Sequence, residues 1–338
     1  MTRGRPPVLT DRALNRATLA RQMLLHREAL SVPAALERVV GLQAQEPLEP
    51  YIGLWSRVEA FTNGSLAAAM EDRAVARLLL MRRTVHLVSA ADAHALRPVH
   101  HGMLVDRALG VLRGRLAGIE PEALTAAAMP LFTEGPRRLP DVTAELQQRW
   151  PAASRDALAQ AVAVLVPLLQ VPPRGVWGRP QPQPSLTILD AWLGPPAGPP
   201  LGPKELVLRY LRAFGPATAA DIRAWSGLSG LREPLERLRP RLRTFRDEAG
   251  RELLDTDDGV LPDPTHLHPC SSRPAFDNTV LAYRHRGRVI DPAYRALSVD
   301  ATRFVLVDGR GGNLAVDQTR TACGRLGLRG AVATVASR

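Results

Sequence analysis

The chain has 338 residues, of which 45% are hydrophobic and 23% charged, a composition that supports folded domains and excludes a mostly disordered chain. Its 44 basic and 33 acidic residues leave a formal net charge of +11, which favours a polyanionic partner such as nucleic acid. Two cysteines exclude a disulfide scaffold and indicate a cytoplasmic protein. The longest apolar run, Ala157 to Leu169, is too short to span a membrane, so we expect no membrane contact.

The first third of the chain predicts three helices followed by a β-hairpin. Apolar residues at helical spacing indicate the helices, and two apolar, β-branched runs on either side of Arg82-Arg83 indicate the hairpin arms. The predicted helices cover Asp11 to Leu25, Pro33 to Leu42 and Tyr51 to Glu59, and the arms cover Val75 to Met81 and Thr84 to Ser89.

The same order of elements recurs twice further along the chain. The second set has helices near Pro121 to Met129, Asp141 to Trp150 and Arg155 to Val166, with hairpin arms at Leu168 to Val171 and Val176 to Gly178. The third set has helices over Lys204 to Phe214, Thr218 to Trp225 and Leu231 to Leu238, with arms at Leu242 to Arg246 and Glu252 to Thr256. A Pro- and Gly-rich stretch from Pro180 to Pro203 predicts a linker between these two sets.

Three helices followed by a hairpin form the winged-helix arrangement. The sequence therefore predicts an α+β chain of three tandem winged-helix units, at residues 1–118, 119–200 and 201–338. Helix-turn-helix units place one helix in a DNA groove, so the repeat favours double-stranded DNA over RNA or a membrane. Three units in series already offer an extended DNA surface, so we expect a monomer.

The most informative segment is Gly41-Leu42-Gln43-Ala44-Gln45, which is followed by Pro47 and Pro50. The two prolines disfavour a helix here. In extended backbone, residues two apart lie on one face, so both glutamine amides are predicted to point the same way. On spacing alone, a polar loop that caps neighbouring helices is the simpler explanation.

This segment, continued by Pro50-Tyr51-Ile52-Gly53-Leu54-Trp55-Ser56-Arg57, resembles the AlkZ/YcaQ-like family of tandem winged-helix DNA glycosylases. Three further runs carry the resemblance, at Thr84 to Ser89, Pro172 to Gly178 and Phe276 to Asn278. The resemblance covers most of the chain, from about Thr10 to Gly309. It implies a C-shaped assembly that excises alkylated purines from double-stranded DNA and unhooks interstrand crosslinks.

The resemblance also implies that Gln43 and Gln45 are the catalytic pair. Glutamine does not titrate usefully, so it is a poor general base. An N-alkylated purine, however, already carries positive charge and leaves as a neutral base. The enzyme then needs mainly to orient a water beneath C1′ and to steady the developing oxocarbenium ion.

We therefore predict a monofunctional glycosylase for cationic alkylpurines, without metal or cofactor, and leave crosslink unhooking as an open extension. Lys204 is the only lysine and lies outside the glutamine motif, so a Schiff-base lyase step is not supported. The alternative is a non-catalytic winged-helix DNA-binding protein or transcriptional regulator.

Basic residues in and beside the family-like runs are the predicted DNA contacts, namely Arg57, Arg82, Arg83, His86 and Arg174. For His86, a hydrogen-bonded structural role is an equal alternative. The run His266 to Cys270 places two histidines and a cysteine on alternate positions, but a structural zinc needs a fourth ligand and none lies nearby. A polar loop is therefore predicted there.

The sequence departs from the family pattern in three places. Arg83 stands where relatives carry glycine in a Met-Arg-Gly-Thr turn, which adds a charge within reach of phosphate. The run Leu281 to Arg286 replaces the family's Leu-x-His-x-Asp-Arg, so the contacts of that hairpin are not carried over. After Gly309 the resemblance ends, and the Arg- and Gly-rich tail is predicted to be, apart from the extreme N-terminus, the least ordered part of the protein.

Overall fold

The computed structural model describes residues 5–116, 118–266, 271–290, 304–307 and 310–312. Within these residues the chain is an α+β protein, as predicted. The helices are α1 (Asp11–Arg21), α2 (Val32–Arg38), α3 (Glu49–Trp55), α4 (Asn63–Glu71), α5 (Ala90–Leu112), α6 (Pro121–Thr133), α7 (Leu139–Arg149), α8 (Arg155–Leu165), α9 (Leu189–Leu193), α10 (Pro203–Phe214), α11 (Ala219–Ser226), α12 (Arg232–Leu238) and α13 (Asn278–Leu281). The strands are β1 (Val8–Leu9), β2 (Leu42–Gln43), β3 (Val75–Leu79), β4 (Val85–Ser89), β5 (Arg137–Arg138), β6 (Leu168–Gln170), β7 (Ser185–Ile188), β8 (Leu242–Asp247), β9 (Glu252–Thr256), β10 (Ser271–Arg273), β11 (Phe304–Val307) and β12 (Arg310–Gly312).

Several helices begin directly after a serine or threonine whose side chain accepts a backbone N–H of the first turn. Such a cap satisfies a donor that has no partner inside the helix. The capping residues are Thr10, Ser31, Thr62, Ser89, Ser154 and Thr218. At Thr218 the carboxylate of Asp221 completes a capping box, so the helix start predicted there is confirmed.

A six-stranded sheet with the order β2-β4-β3-β6-β7-β5 joins the first two predicted units. β3 and β4 form the predicted first hairpin, and β3 also pairs with β6, where Leu78 lies opposite Leu169. The second hairpin differs from the prediction, because the partner of β6 is β7 and not Val176 to Gly178. β7 and α9 lie inside the stretch predicted as a linker. The dense prolines around them concealed a short apolar strand whose Leu186 and Ile188 are buried.

The third predicted unit has the expected order of elements, with α10, α11 and α12 followed by the β8–β9 hairpin. The N-terminal segment packs with this unit, because β1 pairs in parallel with β8 and α1 contacts α10. Arg21 of α1 forms a buried ion pair with Asp255 of β9, with 2.7 Å between Nη1 and Oδ1. The sequence assigned α1 to the first unit, since its periodicity carries no sign of a partner 234 residues away.

One hydrophobic cluster runs through all three predicted units. It contains Leu78 of β3, Phe132 of α6 and Trp225 of α11, each essentially inaccessible to solvent. A second cluster fills the first unit around Leu36 and Tyr51. Since the shared sheet and the shared core cross the predicted boundaries, the division into three winged-helix units remains a prediction.

Two helices near the first hairpin, α4 and α5, are missing from the sequence prediction. α5 is 23 residues long and continues through Pro98. Its many small and charged residues weaken the apolar signal, although Leu96 and Leu104 are buried. No helix in the described part of the chain is long and apolar enough to cross a membrane. Of the tail after Gly309, only β12 is described, so the prediction of disorder there lies outside the described residues.

Candidate active site

The glutamine motif lies on the edge strand of the six-stranded sheet. β2 pairs antiparallel with β4, with Gln43 opposite His86, and the Ala44 N–H donates to the Val85 carbonyl at 2.8 Å. Gly41 permits the sharp entry into this strand, because its φ is +79° and a Cβ there would lie 2.6 Å from a neighbouring valine side chain. The extended backbone predicted for Gln43 is confirmed.

The two glutamine side chains differ in burial and in their partners. Gln43 is only 7% exposed, and its Oε1 accepts a hydrogen bond from Arg82 Nη2 at 3.0 Å. Gln45 is exposed, and its Oε1 accepts the Val85 backbone N–H at 3.4 Å, a long and weak bond. The structure therefore brings a fixed amide and a loosely held amide to the same edge of the sheet.

Arg77 in the middle of β3 fixes the backbone on both sides of Gln45. It is 2% exposed and donates to the Ala44 carbonyl at 2.9 Å and to the Pro47 carbonyl at 3.0 Å. Burial lowers its pKa to about 10, so the guanidinium is charged at neutral pH. Arg77 is not among the site residues predicted from the sequence, although an arginine inside an apolar strand is itself a sign of a buried polar role.

Asp277 and Asn278, at the start of α13, hold the glutamine motif and the end of the helix that follows it, α3. Asn278 Nδ2 donates to the Gly41 carbonyl at 2.8 Å. Asp277 accepts two hydrogen bonds from Arg57 Nη2, at 3.0 and 2.9 Å, and Arg57 Nη1 donates to the Gly53 carbonyl at 2.9 Å. Burial raises the pKa of Asp277, but the nearby arginines and hydrogen bonds outweigh it and hold the pKa below its usual value. The runs Pro50 to Arg57 and Phe276 to Asn278, which lie far apart in the sequence, are thus joined in the structure.

The loop at Pro172 to Gly178 also lies against the motif. The Tyr51 hydroxyl donates to the Gly175 carbonyl at 3.0 Å and accepts the Trp177 backbone N–H at 2.9 Å. The rings of Tyr51 and Trp177 lie 5.2 Å apart, and Trp177 remains 47% exposed. The second half of this run, Val176 to Gly178, was predicted as a hairpin arm. It is instead a loop that is fixed to the helix following the glutamines.

Comparison with known proteins identifies the family of this chain. A family model described as DNA glycosylase AlkZ-like matches residues 36–324. The chain belongs to this family. It is therefore a DNA glycosylase, and the family match favours the enzyme over the regulator that the sequence left as an alternative.

Among solved structures, this AlkZ-like chain is similar to the DNA glycosylase AlkZ of Streptomyces sahachiroi. The TM-score is 0.75 with 18% sequence identity, and the match covers 95% of this chain and 97% of that chain. At this identity the likeness shows a shared fold. A comparison with curated proteins finds no match.

Two of the predicted DNA contacts in this AlkZ-like protein are inaccessible. Arg57 is 0% exposed, and its Nη1 and Nη2 donate to the Gly53 carbonyl and to the Asp277 carboxylate. His86 is also 0% exposed, and its Nδ1 lies 3.0 Å from the Thr84 carbonyl. Burial and the nearby Arg82 lower the pKa of His86 to about 3, so its ring is neutral. Neither side chain can reach a phosphate in this structure, and for His86 the structural alternative fits.

The other three predicted contacts lie closer to solvent. Arg82 and Arg83 form the turn between β3 and β4, both with positive φ, of 56° and 62°. Arg83 is exposed, while Arg82 is partly buried and engages Gln43. Arg174 is partly buried and donates to the Pro182 carbonyl at 2.6 Å. Of the five, Arg83 is the side chain that is most free to meet DNA.

The two glutamines offer oriented polar groups rather than proton transfer near neutral pH. The ring opposite Gln43 is the neutral His86, and the cations beside the motif are arginines. Among the described residues, no group of three or more His, Cys, Asp or Glu side chains could hold a metal ion. His268 and Cys270 lie outside the described residues, so the prediction of a loop there is not tested.

Proposed function

We propose that this glycosylase removes cationic N-alkylated purines from double-stranded DNA and that Gln43 and Gln45 hold the attacking water beneath C1′. In this proposal the chain is a monofunctional enzyme whose winged-helix units form an open, C-shaped monomer. The observation that carries the proposal is the placement of both amides at one edge of a sheet, fixed by backbone and side-chain contacts.

The spacing of the pair suits a shared water. Residues two apart on a strand are separated by roughly 7 Å. Two amides that each hydrogen-bond one water stand roughly 4.6 Å apart, because the two bonds meet at the water near the tetrahedral angle. Rotation of the exposed Gln45 side chain supplies this distance while Arg82 holds Gln43. Among the described residues, the Gln45 oxygen receives a single long bond, at 3.4 Å, so it retains acceptor capacity for a water proton.

The glutamines themselves set the proposed substrate class, because an amide is a poor general base. An undamaged purine is a poor leaving group that requires strong acid or base assistance. A purine alkylated at N7 or N3 carries positive charge, so bond cleavage neutralises it. Oriented dipoles that stabilise the oxocarbenium ion then suffice for cleavage. The proposed selectivity for cationic lesions follows from the chemistry of the lesion and not from a tight pocket.

Single-turnover release of N7-methylguanine from an alkylated duplex, with enzyme in excess, tests the proposal. Gln43→Ala and Gln45→Ala are each expected to slow release by about 10²-fold, because each removes a positioned polar contact at the transition state. The double variant is expected to fall well short of the product of the two effects, since both amides act on one water. Duplex affinity should stay nearly constant.

Gln160→Ala is the matched control, because in the described part of the chain the side chain of this glutamine hydrogen-bonds to Asp156 of the same helix, α8. It should leave release unchanged. If the folded double variant releases N7-methylguanine at the wild-type rate, the glutamines are a structural loop and the proposed mechanism is wrong. The same variants assayed on a crosslinked duplex decide whether unhooking uses the same pair.

A further inference from the structure

The contacts of Arg82 determine which way the Gln43 amide points. Arginine has five N–H donors and no acceptor, so the group that lies 3.0 Å from Arg82 Nη2 must be the Gln43 oxygen. The Gln43 Nε2 has no hydrogen-bond partner among the described residues. The amide is therefore held by its oxygen and presents its two N–H donors.

Arg82 is itself held at its other end. Its Nη1 donates to the Trp225 carbonyl at 2.9 Å, so both arms of the guanidinium are engaged. Trp225 is fully buried, with its ring 5.1 Å from Tyr210 and 5.8 Å from Phe214. The aromatic core of the third predicted unit thus anchors the arginine that contacts the motif of the first.

The backbone and the charge of Arg82 both support this role. A φ of 56° places the residue in the left-handed region, an uncommon conformation for a side-chain-bearing residue, and its side chain reaches Gln43 on the edge strand. Burial lowers the pKa of Arg82 to about 10, so the group remains charged at neutral pH. A charged donor gives a stronger hydrogen bond to an amide oxygen than a neutral one.

We infer that Arg82 is a positioning residue of the excision reaction: it holds Gln43 by Oε1, so that Gln43 acts on the water or the substrate as a hydrogen-bond donor through Nε2. The inference rests on the proposed function. It makes the two glutamines unequal, because Gln43 donates while the exposed oxygen of Gln45 accepts. It also replaces the expectation that Arg82 contacts phosphate.

The test separates the maximal single-turnover rate of N7-methylguanine release from the enzyme concentration that gives half of that rate. Arg82→Ala should lower the maximal rate on the order of 10-fold or more, since a hydrogen bond to a charged group is lost. The half-saturating concentration should change by less than about 2-fold, because a lost phosphate contact would act there and would flatten the salt dependence. Arg82→Lys should recover part of the rate, since an ammonium donates to Gln43 but not to Trp225 at the same time.

The decisive comparison places Arg82→Ala in the Gln43→Ala background. If Arg82 acts through Gln43, the second substitution slows release no further. Equal slowing in both backgrounds, or a wild-type maximal rate in Arg82→Ala, overturns the inference. If Arg82→Ala does not fold, Arg82→Lys and Arg82→Gln, which retain a donor, carry the same comparison.

Arg97→Ala is the control for general destabilisation. Arg97 is also buried and donates to the Val164 carbonyl at 2.6 Å, and it does not contact the glutamine motif. It should lower the melting temperature and leave the maximal rate unchanged. A wild-type protein that releases no base refutes the proposed function, and the inference with it. A wild-type protein that releases base at a rate insensitive to Arg82 refutes the inference alone.

Discussion

Replacing Asp277 with asparagine tests whether the buried ion pair between Arg57 and Asp277 stabilises the fold around the glutamine motif. Arg57 and Asp277 are both 0% exposed and are joined by hydrogen bonds of 3.0 and 2.9 Å. Asparagine keeps the shape of the side chain but leaves the guanidinium charge buried without a counter-charge. Removal of one partner from a buried ion pair typically costs about 3–5 kcal/mol, and we expect Asp277→Asn to fall in this range.

Urea denaturation of the two proteins measures the difference. Since the pKa of Asp277 is held below its usual value in the folded protein, its contribution is present above the unfolded pKa of about 3.9 and is lost as the pH falls below it. The difference in free energy of unfolding between the wild type and Asp277→Asn should therefore become smaller at acidic pH. Glu233→Gln is the control, because its pair with Arg237 is largely exposed and contributes little. If Asp277→Asn lowers the free energy of unfolding by less than about 1 kcal/mol, the buried ion pair does not stabilise the fold as argued.

Two further predictions concern the turn and the buried histidines. Arg83→Gly should raise the melting temperature by about 2 °C, because glycine tolerates the φ of 62°, whereas Arg83→Ala should not raise it. Both substitutions should flatten the log–log salt dependence of duplex affinity by about 0.9. An unchanged slope would show that Arg83 does not contact the duplex. Burial lowers the pKa of His86 to about 3 and of His100 to about 4. The unfolded chain takes up these protons near pH 6.5, so the free energy of unfolding should keep its full value above that pH and fall toward pH 4. The expected decrease is about 1.4 kcal/mol per pH unit for each ring. His100→Gln should reduce the pH dependence of the free energy of unfolding by the contribution of one ring, about 1.4 kcal/mol per pH unit. A pH dependence equal to that of the wild type would contradict the lowered pKa of His100.

The elements that the sequence predicted well are those with strong local signals. Thr218 and Asp221 mark a helix start by their spacing alone, and the two arms around Arg82-Arg83 are apolar and β-branched over consecutive residues. The prolines after the glutamines excluded a helix, so the extended conformation of Gln43 followed without any tertiary information. In each case the signal lies within about ten residues of the element that it determines.

The partners that the sequence could not predict are distant along the chain. Arg57 pairs with Asp277, 220 residues away, and Arg21 pairs with Asp255, 234 residues away. An arginine beside a family-like motif has the same appearance in sequence whether it contacts phosphate or a buried carboxylate. Burial distinguishes the two, and burial depends on which elements pack together. The sequence therefore predicted Arg57 as a DNA contact, whereas the structure buries this side chain against Asp277.

The burial of arginine also changes what the net charge of +11 implies. The arginines with little solvent exposure in the described part of the chain are Arg16, Arg21, Arg57, Arg77, Arg97, Arg273 and Arg288. Several of them donate to backbone carbonyls of other elements, as Arg77 does around Gln45, because the planar guanidinium bridges several acceptors at once. Such groups do not release counterions when DNA binds, so the salt dependence of binding should report only exposed arginines. Net charge therefore overstates the DNA-facing charge of a protein that uses arginine to join its elements.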